Sequence, residues 1–502
     1  MFRLFLLYAF RRPFYVLLSA LSIVLLFSSW GSAVYHTTLK DLAGNTAFTP
    51  AVTKHQLIVK GKAIAYQANA GYLTINDKDE QPLAHIFYTA YNLNNNERNR
   101  PVTFVFNGGP GSASIWLHMG SFGPVRVTPN KPGYAENKDT WLPFTDLVFI
   151  DPVGTGYSRA ADGINVQKFY NYKEDISSIA AFIKQYLKQN NRGASPKFIV
   201  GESYGAARAV GLTAFLQDSL NIKLTGLIFI SPALNYKLIT FRKDNNSPYP
   251  YYLTTYALAA QYHHQLAPEL EQLTPEQLQA RVARFAQGSY SRFIALGRAA
   301  RAVVEDRIID SVSYFTGISK AELQKNGGRV SDIEFTRTLL RDSNKIAGTF
   351  DSRVSGPLAG PEPSEARLRA VFPQAFGDYV QHELNYQNNL PYQVTTNISD
   401  WNYGPEAVNG YLDVSATLEK LIQANPELKV NVACGYYDLA TPVQTTQYVV
   451  DHLNLKGPLK NNITVKYYRS GHMVYTDNNA NKAFRTETER FYEKVLKTSL
   501  YL

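Results

Sequence analysis

The sequence predicts an α/β fold: a mostly parallel sheet presenting a serine on a sharp turn, with a helical segment inserted over one edge. Three observations lead there. Apolar, β-prone runs alternate with helix-forming runs before about 236 and again after about 400, the rhythm of strand–helix–strand units. The apolar run 198–200 feeds into Gly201-Glu202-Ser203-Tyr204-Gly205, and an Ala/Arg/Leu run follows, the strand–turn–helix order of a nucleophile elbow. Between about 236 and 400, strand signals thin out and helical patterns broken by Asn, Gly and Pro replace them.

Composition narrows the class. A chain of 502 residues, 45% hydrophobic and 13% aromatic, has enough apolar material for a large core. The formal net charge of +10 is spread along the chain without the basic run or aromatic-interleaved motif of a nucleic-acid binder, so no nucleic acid is expected as partner. Cys434 is the only cysteine, which excludes an internal disulfide and a thiolate metal cluster. The histidines show no ligand spacing, and the His263-His264 pair reads as surface; no metal and no cofactor are expected.

Taken in order, residues 1–33 read as a targeting segment. Arg3, Arg11 and Arg12 precede an almost wholly apolar run from 13 to 30, and Gly31-Ser32-Ala33 offers a cleavage site. The same run is just long enough to span a bilayer, so a signal peptide and an uncleaved signal anchor both fit. Either way the body of the protein is expected to be exported, to periplasm or medium, touching membrane only through this segment.

Residues 34–235 read as the first part of the core. Short alternating runs at 55–59, 61–66, 71–75 and 85–91 predict an antiparallel lead-in. A buried strand at 102–106 runs into Asn107-Gly108-Gly109-Pro110-Gly111-Ser112, and another at 146–150 into Asp151-Pro152-Val153-Gly154-Thr155-Gly156-Tyr157-Ser158. An amphipathic helix over 166–189 leads to the elbow strand, and a further strand is expected at 224–230. The insertion, 236–400, has candidate helices at 252–265, 275–287, 289–306 and 331–342. Tyr249, Tyr251, Tyr252, Tyr256 and Tyr262 at its start fit either cap packing or a substrate wall. The core resumes over 401–502 with helix 410–424, strand 429–434, helix 443–453, strand 463–468 and a closing helix at 478–498.

Ser203, Asp438 and His472 each sit in a loop just after an apolar strand, in the chain order of α/β-hydrolases. The chemistry needs this set. A serine hydroxyl is a weak nucleophile until an imidazole takes its proton, and a carboxylate holds the imidazole in the right tautomer. In such folds the glycine-rich loop after the 102–106 strand donates one N–H to the oxyanion hole.

Together these motifs resemble the serine carboxypeptidases, through most of the chain from about 55 to the end. They comprise 107–114, 151–158, Gly201–Gly205, the Asp438 loop and Gly471-His472-Met473-Val474. The likeness is strongest with bacterial members, which share the 435–442 motif and the Tyr-rich entry to the insertion. The resemblance implies an oxyanion hole from the N–H groups of Gly109 and Tyr204. It also implies a clamp for the terminal carboxylate of a peptide, made by Asn107 and Glu202 with the N–H of Gly108. A glutamate facing a carboxylate must share a proton with it, so an acidic optimum is expected. Three positions depart from the family pattern. Ser112 stands where a cysteine is usual, Tyr475 where proline follows Gly-His-Met-Val, and Val105 where a tryptophan precedes the asparagine by two. The leading expectation is release of C-terminal residues through an acyl-enzyme. An esterase or acyltransferase with the same triad, and a catalytically silent binding protein, are the alternatives.

Overall fold

The lead-in begins with strands whose alternation is read directly from sequence. β1 (Ala51–Val59), β2 (Lys62–Asn76) and β3 (Pro82–Leu93) pair antiparallel. This computed structural model describes residues 48–94, 99–128, 133–300, 302–398 and 400–500; the segment read as a targeting signal lies outside them. The separate runs expected at 61–66 and 71–75 are one strand, because Gly71 keeps the ladder by pairing with Tyr88.

Beyond the lead-in lie β4 (Val102–Phe106), β5 (Asp146–Ile150), β6 (Lys197–Glu202), β7 (Gly226–Ile230), β8 (Lys429–Gly435) and β9 (Ile463–Tyr468). The sheet order is β1-β2-β3-β5-β4-β6-β7-β8-β9. β3 meets β5 antiparallel, and every pairing from β5 to β9 is parallel. In β6, Phe198 and Val200 enter the core on one face and Ile199 the core on the other. A strand covered on both sides is apolar at every position, and this explains the unbroken runs. The arrangement is an α/β-hydrolase fold.

Helices complete the layers. α1 (Tyr172–Gln189) and α2 (Tyr204–Leu220) pack on one face. α1 starts six residues later than the pattern at 166 suggests, because 166–169 is a separate turn and Asn171 caps α1 by accepting from Glu174 N at 2.9 Å. Between β7 and β8 the chain passes through α3 (Pro248–Tyr262), α4 (Pro275–Phe285), α5 (Ala302–Thr316) and α6 (Asp332–Leu339). Their apolar faces close on one another and on Tyr436, Tyr437 and Leu439, just past β8. The helix expected at 289–306 is instead broken at Gly297 (φ +52), before α5 begins. α7 (Phe372–His382) packs on the other face of the sheet.

The returning segment holds α8 (Ser415–Ala424), α9 (Val443–Asp451) and α10 (Asn478–Leu500). α8 is shorter than the expected 410–424, since Tyr411 and Leu412 pair with Val408 and Ala407 in a two-stranded ribbon. Among the described residues no helix is long and apolar enough to cross a membrane. Nor is there a group of three His, Cys, Asp or Glu side chains able to hold a metal ion. Cys434 is buried and unpaired.

Candidate active site

Parallel strands end on the same edge, and the loops after β4, β6, β8 and β9 therefore converge there. The elbow comes first. Ser203 follows β6 directly with φ 58° and ψ −125°, a conformation L-residues rarely adopt and one held here from outside. Its N–H donates to Ile230 O at 2.9 Å, and its carbonyl accepts from Ala206 N at 3.0 Å and Ala233 N at 3.2 Å. Crowding explains the flanking glycine: a Cβ on Gly201 would lie 2.1 Å from Gly205 O. The Ser203 side chain caps no N–H of α2.

The imidazole and its carboxylate are in place. His472 Nδ1 lies 2.9 Å from Asp438 Oδ2, with side chains 2% and 0% exposed. Asp438 Oδ1 accepts from Ala440 N at 2.8 Å and Thr441 N at 2.9 Å, and the Thr441 hydroxyl lies 2.7 Å from Oδ2. Burial disfavours a charged His472, but the charge and hydrogen bond of Asp438, helped by Glu202, outweigh it and leave the imidazole pKa raised.

Three supporting residues were not singled out from sequence. Ser231, the residue after β7, donates its hydroxyl to His472 O at 2.7 Å, and Thr441 reaches Ser231 O at 2.9 Å, which ties the three loops together. Phe350 comes from the inserted segment. Its carbonyl accepts from His472 N, and its ring stands edge-on at 5.1 Å from the imidazole. Thr441 lies in the motif at 435–442, and Ser231 has a positive φ of 44°, unusual outside glycine. Phe350 has no local signal.

The loop after β4 reaches over the elbow. A Cβ on Gly108 would sit 2.7 Å from Tyr204 N, so only glycine lets this loop approach the start of α2. Gly109 follows at φ +104°. The loop is fastened from below. Buried Arg208 donates Nη1 to Asn107 O and Nε to Asp175 Oδ2, both at 2.7 Å, and the Tyr204 hydroxyl donates to the same Asp175 oxygen at 2.8 Å. Breaking a buried ion pair from one side strands a charge, so Arg208→Met is expected to cost about 3–5 kcal/mol. Denaturant unfolding measures it; a change under 1 kcal/mol would refute this bracing role.

Asn107 and Glu202 meet as a pair, Nδ2 donating to Oε1 at 2.9 Å. Asn107 Oδ1 accepts from Leu117 N at 3.2 Å, so backbone orients the amide, with Val105 packed in the core below. Burial pushes the Glu202 carboxyl up to about 7. His472, Tyr475 and Asn107 work against that rise, and Asp438 adds to it.

The five tyrosines divide. Tyr252 and Tyr256 are 1% exposed and pack within the cap, and Tyr249 and Tyr251 lie partly buried against cores. Tyr262 lines a cavity of about 280 Å³ with Phe350, Phe372, Met473 and Tyr475.

A serine carboxypeptidase family model matches residues 59–484. The pheromone-processing carboxypeptidase KEX1 of Saccharomyces cerevisiae is 33% identical over 151 residues, 28% of this chain and 21% of that protein. Serine carboxypeptidase-like 33 of Arabidopsis thaliana is 28% identical over 154 residues, 30% of this chain and 31% of its own length. Serine carboxypeptidase ctsa-3.2 of Caenorhabditis elegans is 27% identical over 181 residues, 34% of each. The chain thus spans from about a fifth to a third of these relatives' lengths. The crystal structure of a yeast Kex1 carboxypeptidase superposes with a TM-score of 0.56 at 16% identity, covering 85% of this chain and 91% of that one, a likeness of fold.

Proposed function

We propose a function from one premise: the chain belongs to the serine carboxypeptidase family. It is a serine-type carboxypeptidase that removes the last residue of peptides with a free C-terminus. Ser203 attacks the last peptide carbonyl, His472 takes the hydroxyl proton and delivers it to the leaving amine, and Asp438 holds the imidazolium. The N–H groups of Gly109 and Tyr204 stabilise the oxyanion, and water, deprotonated by the same imidazole, then hydrolyses the acyl-enzyme. Asn107, Glu202 and the Gly108 N–H hold the terminal carboxylate. Residues 34–235 and 401–502 form the hydrolase core, and the insertion 236–400 supplies its cap through α3–α6 and, through α7, a helix on the sheet face opposite α1 and α2. The leader 1–33 exports the protein, with membrane contact only if it stays uncleaved. The 435–442 motif and the cap tyrosines favour the bacterial branch of the family.

The observation that carries this reading is the buried Asn107–Glu202 pair beside the His472–Asp438 pair. An esterase has no use for a carboxyl that resists ionisation there. Blocked dipeptides with free and amidated C-termini test it, with Ser203→Ala as control: only the free acids are expected to be cleaved. Equal rates on both would refute the clamp.

The proton arithmetic fixes the pH dependence. Glu202 raises the pKa of His472 only while it is ionised. The productive form holds the proton on Glu202, which is then a donor to substrate, and leaves His472 neutral as base. Above the Glu202 pKa of about 7 two carboxylates face each other, and KM rises about tenfold per pH unit. At low pH, His472 protonates and kcat falls. Glu202→Gln is expected to abolish the alkaline limb and keep the acidic one in kcat/KM profiles. An unchanged alkaline limb in that variant would contradict the assignment.

A further inference from the structure

Two buried polar atoms beside the candidate triad lack a hydrogen bond. Neither Glu202 Oε2 nor the Tyr475 hydroxyl has a partner among the described residues. They are nonetheless close enough for the hydroxyl to act on Glu202 as a hydrogen-bonding neighbour that lowers the carboxyl pKa, and Asn107 bears on the hydroxyl in the same way, although none of these contacts has regular hydrogen-bond geometry. An unsatisfied buried polar group costs about 1–3 kcal/mol, so two of them facing one another in a binding site need a reason.

Tyr475 is firmly placed. Its side chain is fully buried, its carbonyl accepts from Arg126 Nη2 at 2.6 Å, and its ring edge lies so close to Gly120 that a Cβ there would be 2.7 Å from Cε2. The ring also walls the cavity that reaches Phe350 and Met473. The groups facing Glu202 are His472 and Asp438 from the loops after β9 and β8, Asn107 from the loop after β4, and Tyr475 itself. Of these, Asp438 is an anion and His472 is engaged with it. Asn107 already serves Oε1. Burial and the Glu202 charge both keep the phenol protonated, so it is a permanent donor.

We propose that Tyr475 is a positioning residue for the Asn107–Glu202 pair, its hydroxyl donating to Glu202 Oε2 whenever that carboxylate is ionised. The deeper reading rests on Glu202 as the carboxylate clamp. Asn107 then holds one oxygen and Tyr475 the other, favouring the anion, so the hydroxyl lowers the pH at which Glu202 begins to reject a terminal carboxylate. Proline, the residue of the family pattern here, supplies no such donor.

Infrared titration of the Glu202 carboxyl band, identified by its loss in Glu202→Gln, tests this on the free protein. Tyr475→Phe keeps the ring and removes only the donor, and the band's midpoint should rise by about one pH unit, the size expected for a hydrogen bond to a charged group. The alkaline limb of kcat/KM for free-acid peptides should rise equally, through KM. An unmoved or lowered midpoint overturns the proposal, as does a fall in kcat with no shift, which would report packing alone. If wild type cleaves amidated peptides as fast as free acids, the carboxypeptidase reading fails, and the infrared midpoint still decides on Tyr475.

Discussion

Replacing Ser203 with alanine is expected to lower kcat on a blocked dipeptide by on the order of 10⁶-fold, and adding His472→Ala should cost almost nothing more. The reason is that the two act as one device. Without the hydroxyl there is nothing for the imidazole to deprotonate, and without the imidazole the hydroxyl is a weak nucleophile. What survives is the oxyanion hole and binding, which alone leave about 10³–10⁴-fold over water. Folding should be little affected, since the Ser203 side chain caps no helix N–H and the elbow is held through its backbone. A fluorophosphonate should label wild type once and Ser203→Ala not at all. Additive losses in the double variant, or labelling of the alanine variant, would remove Ser203 from the nucleophile's place.

How much of this was legible in the chain depended on range. The elbow, the glycine loop and the residues that pair as His472 and Asp438 follow apolar strands, and parallel strands deliver their exits to one edge; local pattern plus one topological rule was enough. Phe350 was not legible. It reaches His472 from 122 positions away along a segment with no periodic pattern, and its placement depends on how the cap settles over the Asp438 loop, where Ser352 N donates to Tyr437 O at 2.9 Å. The tyrosines fail for a related reason. A helix buried nearly all round hides which face meets the sheet, and so Tyr252 and Tyr262 read alike although one is core and the other lines a cavity. Glu202 and Asn107 lie 95 positions apart and are joined in the sequence only by the family resemblance; in the fold they are 2.9 Å apart. Tyr475 was visible only as a departure from pattern, and its role needed the unpaired oxygen beside it.

Asp438→Asn is expected to lower kcat by ~10⁴-fold with the fold intact. The surroundings of this one side chain force the outcome. Asp438 Oδ1 is met by two backbone donors, Ala440 N at 2.8 Å and Thr441 N at 2.9 Å. An asparagine must therefore turn its carbonyl oxygen to those donors, because an amide NH₂ there would face two N–H groups. Its NH₂ is then directed at the other position, now held by Oδ2, 2.9 Å from His472 Nδ1 and 2.7 Å from the Thr441 hydroxyl. A donor facing Nδ1 makes that nitrogen the acceptor and drives the imidazole proton to Nε2, the atom that must take the proton of Ser203. The variant thus keeps every contact and holds the base in the wrong tautomer. The raised pKa of His472 should also collapse, since Asp438 is the main group sustaining it against burial. Nitrogen NMR of labelled histidine would read both changes, with the Nδ1-protonated signal replaced by the Nε2-protonated one. A variant with at least a tenth of wild-type kcat, or with the tautomer unchanged, would mean that Asp438 does not orient the base.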